Sequence, residues 1–196
     1  MNLTMVTGGS RSGKSEFAEN MFNTEQPVCY VATSRTDFFD QEMEQRIKIH
    51  QKRRPDTWET KEEYKNLGQL IVDTPCSYFL IDDATNLTTN LFFDILARIN
   101  KSNDLDDVFA ESLSHTEVEQ ITKKIMIEWN RIFELTQNID KKVVIVTNEV
   151  GLGIVPATKL TRILRDIYGS VNQLIAQKSE TVWIVVSGLP LKIKEG

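Results

Sequence analysis

The octapeptide Gly8-Gly9-Ser10-Arg11-Ser12-Gly13-Lys14-Ser15 restricts the fold of this 196-residue chain more than any other segment. It satisfies the Walker A pattern G-x-x-x-x-G-K-S, and its flanks are of the matching kind: apolar Leu3 to Val6 before it, a helical stretch from Ser15 to Phe22 after it. Such a segment works where a buried strand turns into a helix, because successive backbone N–H groups then converge on an anion at the helix N-terminus. The glycines let the backbone approach a phosphate closely. Lys14 is placed to reach the β- and γ-phosphates of a nucleoside triphosphate, ATP or GTP, and so counts as catalytic as well as binding. The Ser15 hydroxyl is placed to ligate the Mg2+ that neutralises charge during phosphoryl transfer.

The remaining pattern agrees with an α/β fold. Candidate strands are Leu3 to Thr7, Val28 to Ala32, Tyr78 to Asp82, Lys142 to Thr147 and Thr181 to Ser187. Several are apolar throughout, as strands buried on both faces are, and helical patterns alternate with them, which predicts a mostly parallel central sheet. Val118, Ile121, Ile125, Trp129, Ile132 and Phe133 recur at helical spacing within Glu117 to Gln137. Leu160, Ile163, Leu164, Ile167, Val171 and Leu174 do so after Pro156, with Gly169 a mild weakener. Arg35 to Asp40 and the acidic Asn100 to Ser114 read as irregular excursions. The length fits one domain spanning 1–196.

Charge narrows the partners. With 28 acidic against 23 basic residues the net charge is -5, so the chain lacks the footprint of a nucleic-acid binder. No apolar run approaches the roughly 18 residues of a membrane span, and the N-terminus has no export pattern. Cys29 and Cys76 have no metal-ligand spacing and read as reduced core thiols, which fits a cytoplasmic protein.

Two further positions carry chemistry. Asp82 ends the apolar run Tyr78 to Ile81, where a Walker B carboxylate holds Mg2+; its bland alternative is a cap for the helix beginning near Thr85. Asp83, next along an extended strand, would point to the opposite face. His50 lies in a basic helical stretch, Met43 to Arg54, closed by Pro55. In an acidic chain, Arg46, Lys48, Lys52, Arg53 and Arg54 suit a polyanion, and a neutral imidazole there can attack an α-phosphorus. A half-buried helix histidine beside a solvated basic face is the competing reading. His115 has no such setting and reads as a surface residue.

Taken together these motifs resemble the adenosylcobinamide kinase/adenosylcobinamide-phosphate guanylyltransferase family. The resemblance rests on Thr7 to Ser15, Tyr30-Val31-Ala32-Thr33-Ser34, Arg46-Ile47 with His50 and Arg54-Pro55, and Trp58 to Glu62. It continues in Val146 to Pro156, Arg165-Asp166, Gly169, Asn172-Gln173 and Val185 to Gly188. It implies a P-loop NTPase-like three-layer fold and two activities. A nucleoside triphosphate phosphorylates adenosylcobinamide; GTP then guanylylates a histidine, which passes GMP to the phosphorylated corrinoid. His50 matches that histidine, Glu62 the acidic residue near the guanine nucleotide, and Asp82 the Walker B-like acid. Thr33, Ser34, Arg35, Gln51, Lys52, Arg53 and Arg54 would line the nucleotide site, and Asn148 and Glu149 would border it. The resemblance also implies a homo-oligomer, with a trimer as the expected form. Read on Gly8 to Ser15 and Asp82 alone, the chain is a kinase for another small alcohol; a third reading is a nucleotide-gated binding module with the acidic excursion as its partner surface.

Overall fold

The computed structural model describes residues 1–34, 54–100 and 107–196. Its frame is one seven-stranded sheet with strand order β3-β2-β4-β5-β1-β6-β7. The strands are β1 (Asn2–Gly8), β2 (Val28–Ala32), β3 (Glu59–Glu62), β4 (Tyr78–Asp82), β5 (Lys142–Asn148), β6 (Thr181–Val186) and β7 (Leu189–Lys194). All neighbours pair in parallel except β7, which runs antiparallel to β6. The described helices are α1 (Lys14–Glu19), α2 (Leu67–Asp73), α3 (Ala84–Asn100), α4 (Asp107–Ser112), α5 (His115–Thr136) and α6 (Lys159–Lys178).

Alternation along the apolar strands explains the three layers. In β1, Leu3 and Met5 enter one core while Val6 enters the other. The larger core joins Cys29, Val31, Phe79, Ile81, Val143 and Ile145 to the apolar faces of α2, α3, α5 and α6. There Trp129 is fully enclosed and its indole N–H donates to the Thr88 hydroxyl at 3.1 Å. The smaller core joins Tyr30, Leu80, Val144, Val146 and Val185 to Ala18 of α1 and to Phe22. This is a three-layer α/β arrangement, a mostly parallel sheet between helical layers. Helix α5 starts on a capping box: Ser114 accepts from the Glu117 amide, and the Glu117 carboxylate accepts from the Ser114 amide and hydroxyl.

Three features depart from the sequence reading. Strand β3 is missed because Glu-Thr-Lys-Glu has no apolar alternation; it forms at a sheet edge by pairing with β2. Strand β7 is missed because all its side chains are exposed. Its signal is the Ser187-Gly188 pair, both with positive φ (52° and 81°), linking Val186 to its partner Leu189 as a two-residue hairpin turn. The stretch read as irregular from Asn100 to Ser114 contains α4, which buries Ala110. His115 is exposed, with Nδ1 3.5 Å from Glu119 Oε1. Cys29 is buried, and burial pushes its thiol up to about 12, so it does not act as a nucleophile.

Candidate nucleotide site

Strand β1 lies between β5 and β6, so its end is held from both sides: Gly8 faces Asn148 and Val185 in register. A Cβ at Gly8 would sit 2.5 Å from the Val185 carbonyl oxygen and 2.6 Å from Ser12 Oγ. Only a glycine lets the chain turn there. Gly13, at φ +91°, opens α1 with no side-chain cap, and its space is bounded by the Gly188 Cα, 3.3 Å from where a Cβ would be. The Gly188 amide donates to the Ser12 carbonyl at 2.8 Å. The β6–β7 turn is therefore the buttress of the loop, a role that sequence reasoning did not assign to Ser187 and Gly188.

The loop fits a polyphosphate. The N-cap of α1 is Gly13, which brings no side chain to cap the helix, so the backbone at this helix start suits an anion. Gly9, Ser10 and Arg11 are exposed, and open space surrounds a Cβ built on Gly9. Ser12 Oγ is buried without a hydrogen-bond partner among the described residues. Lys14 is buried on the first turn, its ammonium donating to the Gly9 carbonyl at 3.2 Å. Desolvation lowers its pKa, while the negative charges of Asp83 and Asp82 oppose that shift. Ser15, half-buried, follows it on the same turn.

The cap that the sequence offered as the alternative for Asp82 is made by Asp83. The strand ends at Asp82, the Asp82–Asp83 peptide is cis, and Asp83 remains close enough to Lys14 to act on its charge. Asp83 does not continue to the far face as an extended strand would require. It caps α3, its Oδ1 accepting the Asn86 amide at 2.7 Å, while Oδ2 accepts the Asn148 amide side chain at 2.9 Å. Burial, then the charge of Asp82, pushes the Asp83 carboxyl up to about 6. Asp82, whose charge also acts on Lys14, accepts the Tyr30 hydroxyl on Oδ2 at 2.7 Å. Burial and the Asp82 charge raise the Tyr30 pKa, so the phenol stays a donor. Among the described residues no three His, Cys, Asp or Glu side chains cluster as a metal cage. The donor set of Ser15 and Asp82 suits a Mg2+ that takes its other ligands from water and substrate phosphate.

Thr33 is fully buried: its hydroxyl donates to the Asp83 carbonyl at 2.7 Å and accepts the Asp83 amide at 3.0 Å, holding the turn. Ser34 Oγ accepts from Asn86 at 3.0 Å. Arg54 lies with its guanidinium carbon 3.3 Å from the centroid of the Tyr30 ring and donates to Thr60 at 3.2 Å. Glu62 ends β3 opposite Ala32 and is exposed. Asn148 Nδ2 also reaches Thr85 Oγ1 at 3.2 Å, and Glu149 Oε1 accepts the Gly151 amide at 2.8 Å. Gly8 to Ser15, Asp82, Ser34 and Asn148 thus gather at the C-terminal ends of the strands, where open α/β sheets place their ligands. Arg35, His50, Gln51, Lys52 and Arg53 lie outside the described residues, as does most of the basic helix read from Met43 to Arg54.

Comparison with known proteins completes the picture. Among solved structures, the P4 protein from bacteriophage phi6 in complex with ADP matches with a TM-score of 0.42 and 14% identity, over 97% of this chain and 54% of that chain. The sequence relatives are much closer. The bifunctional adenosylcobalamin biosynthesis protein CobU of Escherichia coli (strain K12) is 39% identical over 194 residues, 98% of this chain and 99% of that protein. The protein of the same description from Salmonella typhimurium is 40% identical over 195 residues, again 98% and 99%. The bifunctional adenosylcobalamin biosynthesis protein CobP of Pseudomonas aeruginosa is 31% identical over 193 residues, 97% and 96%. The family model described as cobinamide kinase / cobinamide phosphate guanyltransferase matches residues 4–193. The chain therefore belongs to the cobinamide kinase / cobinamide phosphate guanyltransferase family.

Proposed function

We propose that this protein phosphorylates the side-chain hydroxyl of adenosylcobinamide with a nucleoside triphosphate and then converts the product to adenosylcobinamide-GDP with GTP. Family membership supplies the two activities, and the buried Lys14 on an uncapped helix start, beside Asp82 and Asp83, is the observation that carries the chemistry. In the first step the amides of Gly8 to Ser15 and the Lys14 ammonium hold the triphosphate tail. Ser15 and Asp82 hold Mg2+, which offsets charge on the transferring phosphoryl group. The substrate oxygen attacks the γ-phosphorus, the bond to the β-phosphate oxygen breaks, and the hydroxyl proton leaves to solvent or a base.

In the second step the imidazole of His50 attacks the α-phosphorus of GTP, forming an N–P bond and releasing pyrophosphate. A phosphate oxygen of the corrinoid then displaces the imidazole and takes the GMP. In this reading Arg53, Arg54, Lys52, Gln51 and Arg35 contact the nucleotide, Thr33 and Ser34 shape its pocket, and Glu62 lies near the guanine. A homo-oligomer belongs to the same reading, supported by apolar Leu189 and Leu191 on β7, 73% and 63% exposed. No helix among the described residues is long and apolar enough to cross a membrane.

The test is incubation with α-labelled GTP. The wild type is expected to retain acid-labile label on the chain, and His50→Ala to retain none while still phosphorylating adenosylcobinamide. Full formation of the GDP product by His50→Ala would overturn the covalent route. No phosphorylation of the corrinoid would return the chain to a kinase for another small alcohol.

A further inference from the structure

Beside the carboxylate that ends β4 stands a buried aromatic residue. Tyr30 sits in β2, 4% exposed, with Thr60 of β3 and Leu80 of β4 as its register partners. Both neighbours are backbone-paired strands, so the sheet fixes the face from which its side chain projects. Its hydroxyl donates to Asp82 Oδ2 at 2.7 Å, while the Arg54 guanidinium carbon lies 3.3 Å from its ring centroid. That is well inside the roughly 6 Å reach of a cation–π contact. Arg54 is pinned a second time by Thr60, the residue directly across from Tyr30. Its Nε is buried without a hydrogen-bond partner among the described residues, so stacking on the ring, not a bond at Nε, holds the plane there.

We propose that Tyr30 is a positioning residue that sets the Asp82 carboxylate and the Arg54 guanidinium relative to each other, so that the kinase step draws on the carboxylate and self-guanylylation on the guanidinium of one prearranged pair. The inference rests on the function proposed above. A carboxylate has about four lone-pair sites, so the phenol fixes the rotamer of Asp82 and leaves the other oxygen for Mg2+. The ring face holds the guanidinium flat, which presents its fork of N–H donors to a phosphate in one orientation. A single side chain thereby ties the metal side of the site to its anion side without touching substrate.

The two arms separate by substitution. Tyr30→Phe keeps the ring and loses the hydroxyl; the half-saturating Mg2+ concentration of the kinase step is expected to rise about tenfold, the scale of one hydrogen bond to a charged group. Its kcat at saturating Mg2+ is expected to stay within about threefold of wild type, and self-guanylylation at that Mg2+ to be nearly unchanged. Tyr30→Leu loses the platform as well and is expected to slow self-guanylylation about tenfold. Arg54→Met is expected to slow it by a similar factor, and the double variant Tyr30→Leu/Arg54→Met by no more than either alone. A merely structural tyrosine would lower the melting temperature without moving the Mg2+ dependence, and its loss would add to that of Arg54. Either result, in a wild type active in both steps, overturns the role of Tyr30; a wild type inactive in both overturns the function itself.

Discussion

Gly8 and Gly9 are adjacent in the loop, yet a methyl group should have opposite effects on stability at the two. At Gly8 the added Cβ falls 2.5 Å from the Val185 carbonyl oxygen and 2.6 Å from Ser12 Oγ. The serine can rotate; the carbonyl belongs to β6 and cannot. Gly8 is also anchored, its carbonyl accepting the Glu149 amide at 3.1 Å and its register fixed by β5 and β6. Relief therefore means parting strands in the middle of the sheet. Overpacking costs about 1–3 kcal/mol, and each strained backbone hydrogen bond adds about 1 kcal/mol, so Gly8→Ala is expected to lose about 3–4 kcal/mol. For a chain of this size that is a drop of roughly 6–16 °C in melting temperature, at about 2–4 °C per kcal/mol. Gly9→Ala meets nothing within 4 Å and is expected to lie within about 0.5 kcal/mol of wild type in stability. Thermal melts without nucleotide read both. A Gly8→Ala protein melting within 2 °C of Gly9→Ala would refute the claim that β6 closes the space over the loop.

Two further outcomes follow from the helical layer. Ser114→Ala removes the cap of α5 and is expected to cost about 1 kcal/mol at neutral pH by denaturant unfolding. Hydrogen bonds from Ser114 hold the Glu117 carboxyl below its ordinary 4.5, so the stability it contributes is present above that pH and is lost as pH falls through the lower folded value; the penalty of the variant should shrink there. Trp129→Ala empties the largest fully buried side-chain site among the described residues and removes the indole N–H donated to Thr88, whose hydroxyl keeps its bond to the Ala84 carbonyl, for an expected loss of about 3–5 kcal/mol in the same assay.

The central strands were legible because burial on both faces leaves an apolar run that needs no alternation: β2 and β4 coincide with their sequence bounds, and β1, β5 and β6 differ only at their ends. The edges were not. Strand β3 is all polar, and β7 turns every side chain to solvent, so neither leaves a burial signal; pairing with a neighbour makes them strands. At the site, the phosphate loop was legible because its glycines are demanded by local geometry. The partnership of Asp82 with Tyr30 and of Asp83 with Asn148 joins residues 52 and 65 positions apart, and spacing alone cannot show it. Sequence reasoning placed a cap in this turn but assigned it to the wrong aspartate as the alternative for Asp82, because the turn departs from extended geometry at Asp83.

The buttress under Gly13 has a consequence for how the site comes into being. Thr4 of β1 is flanked by Val144 and Thr181, and the turn that supports Ser12 lies later still, at Gly188. A ribosome that has made only the first half of the chain has already released the motif but not β5, β6 or the Gly188 turn that hold its end. Triphosphate capture is thus expected only once those later segments have paired, and pairings so distant in sequence close slowly.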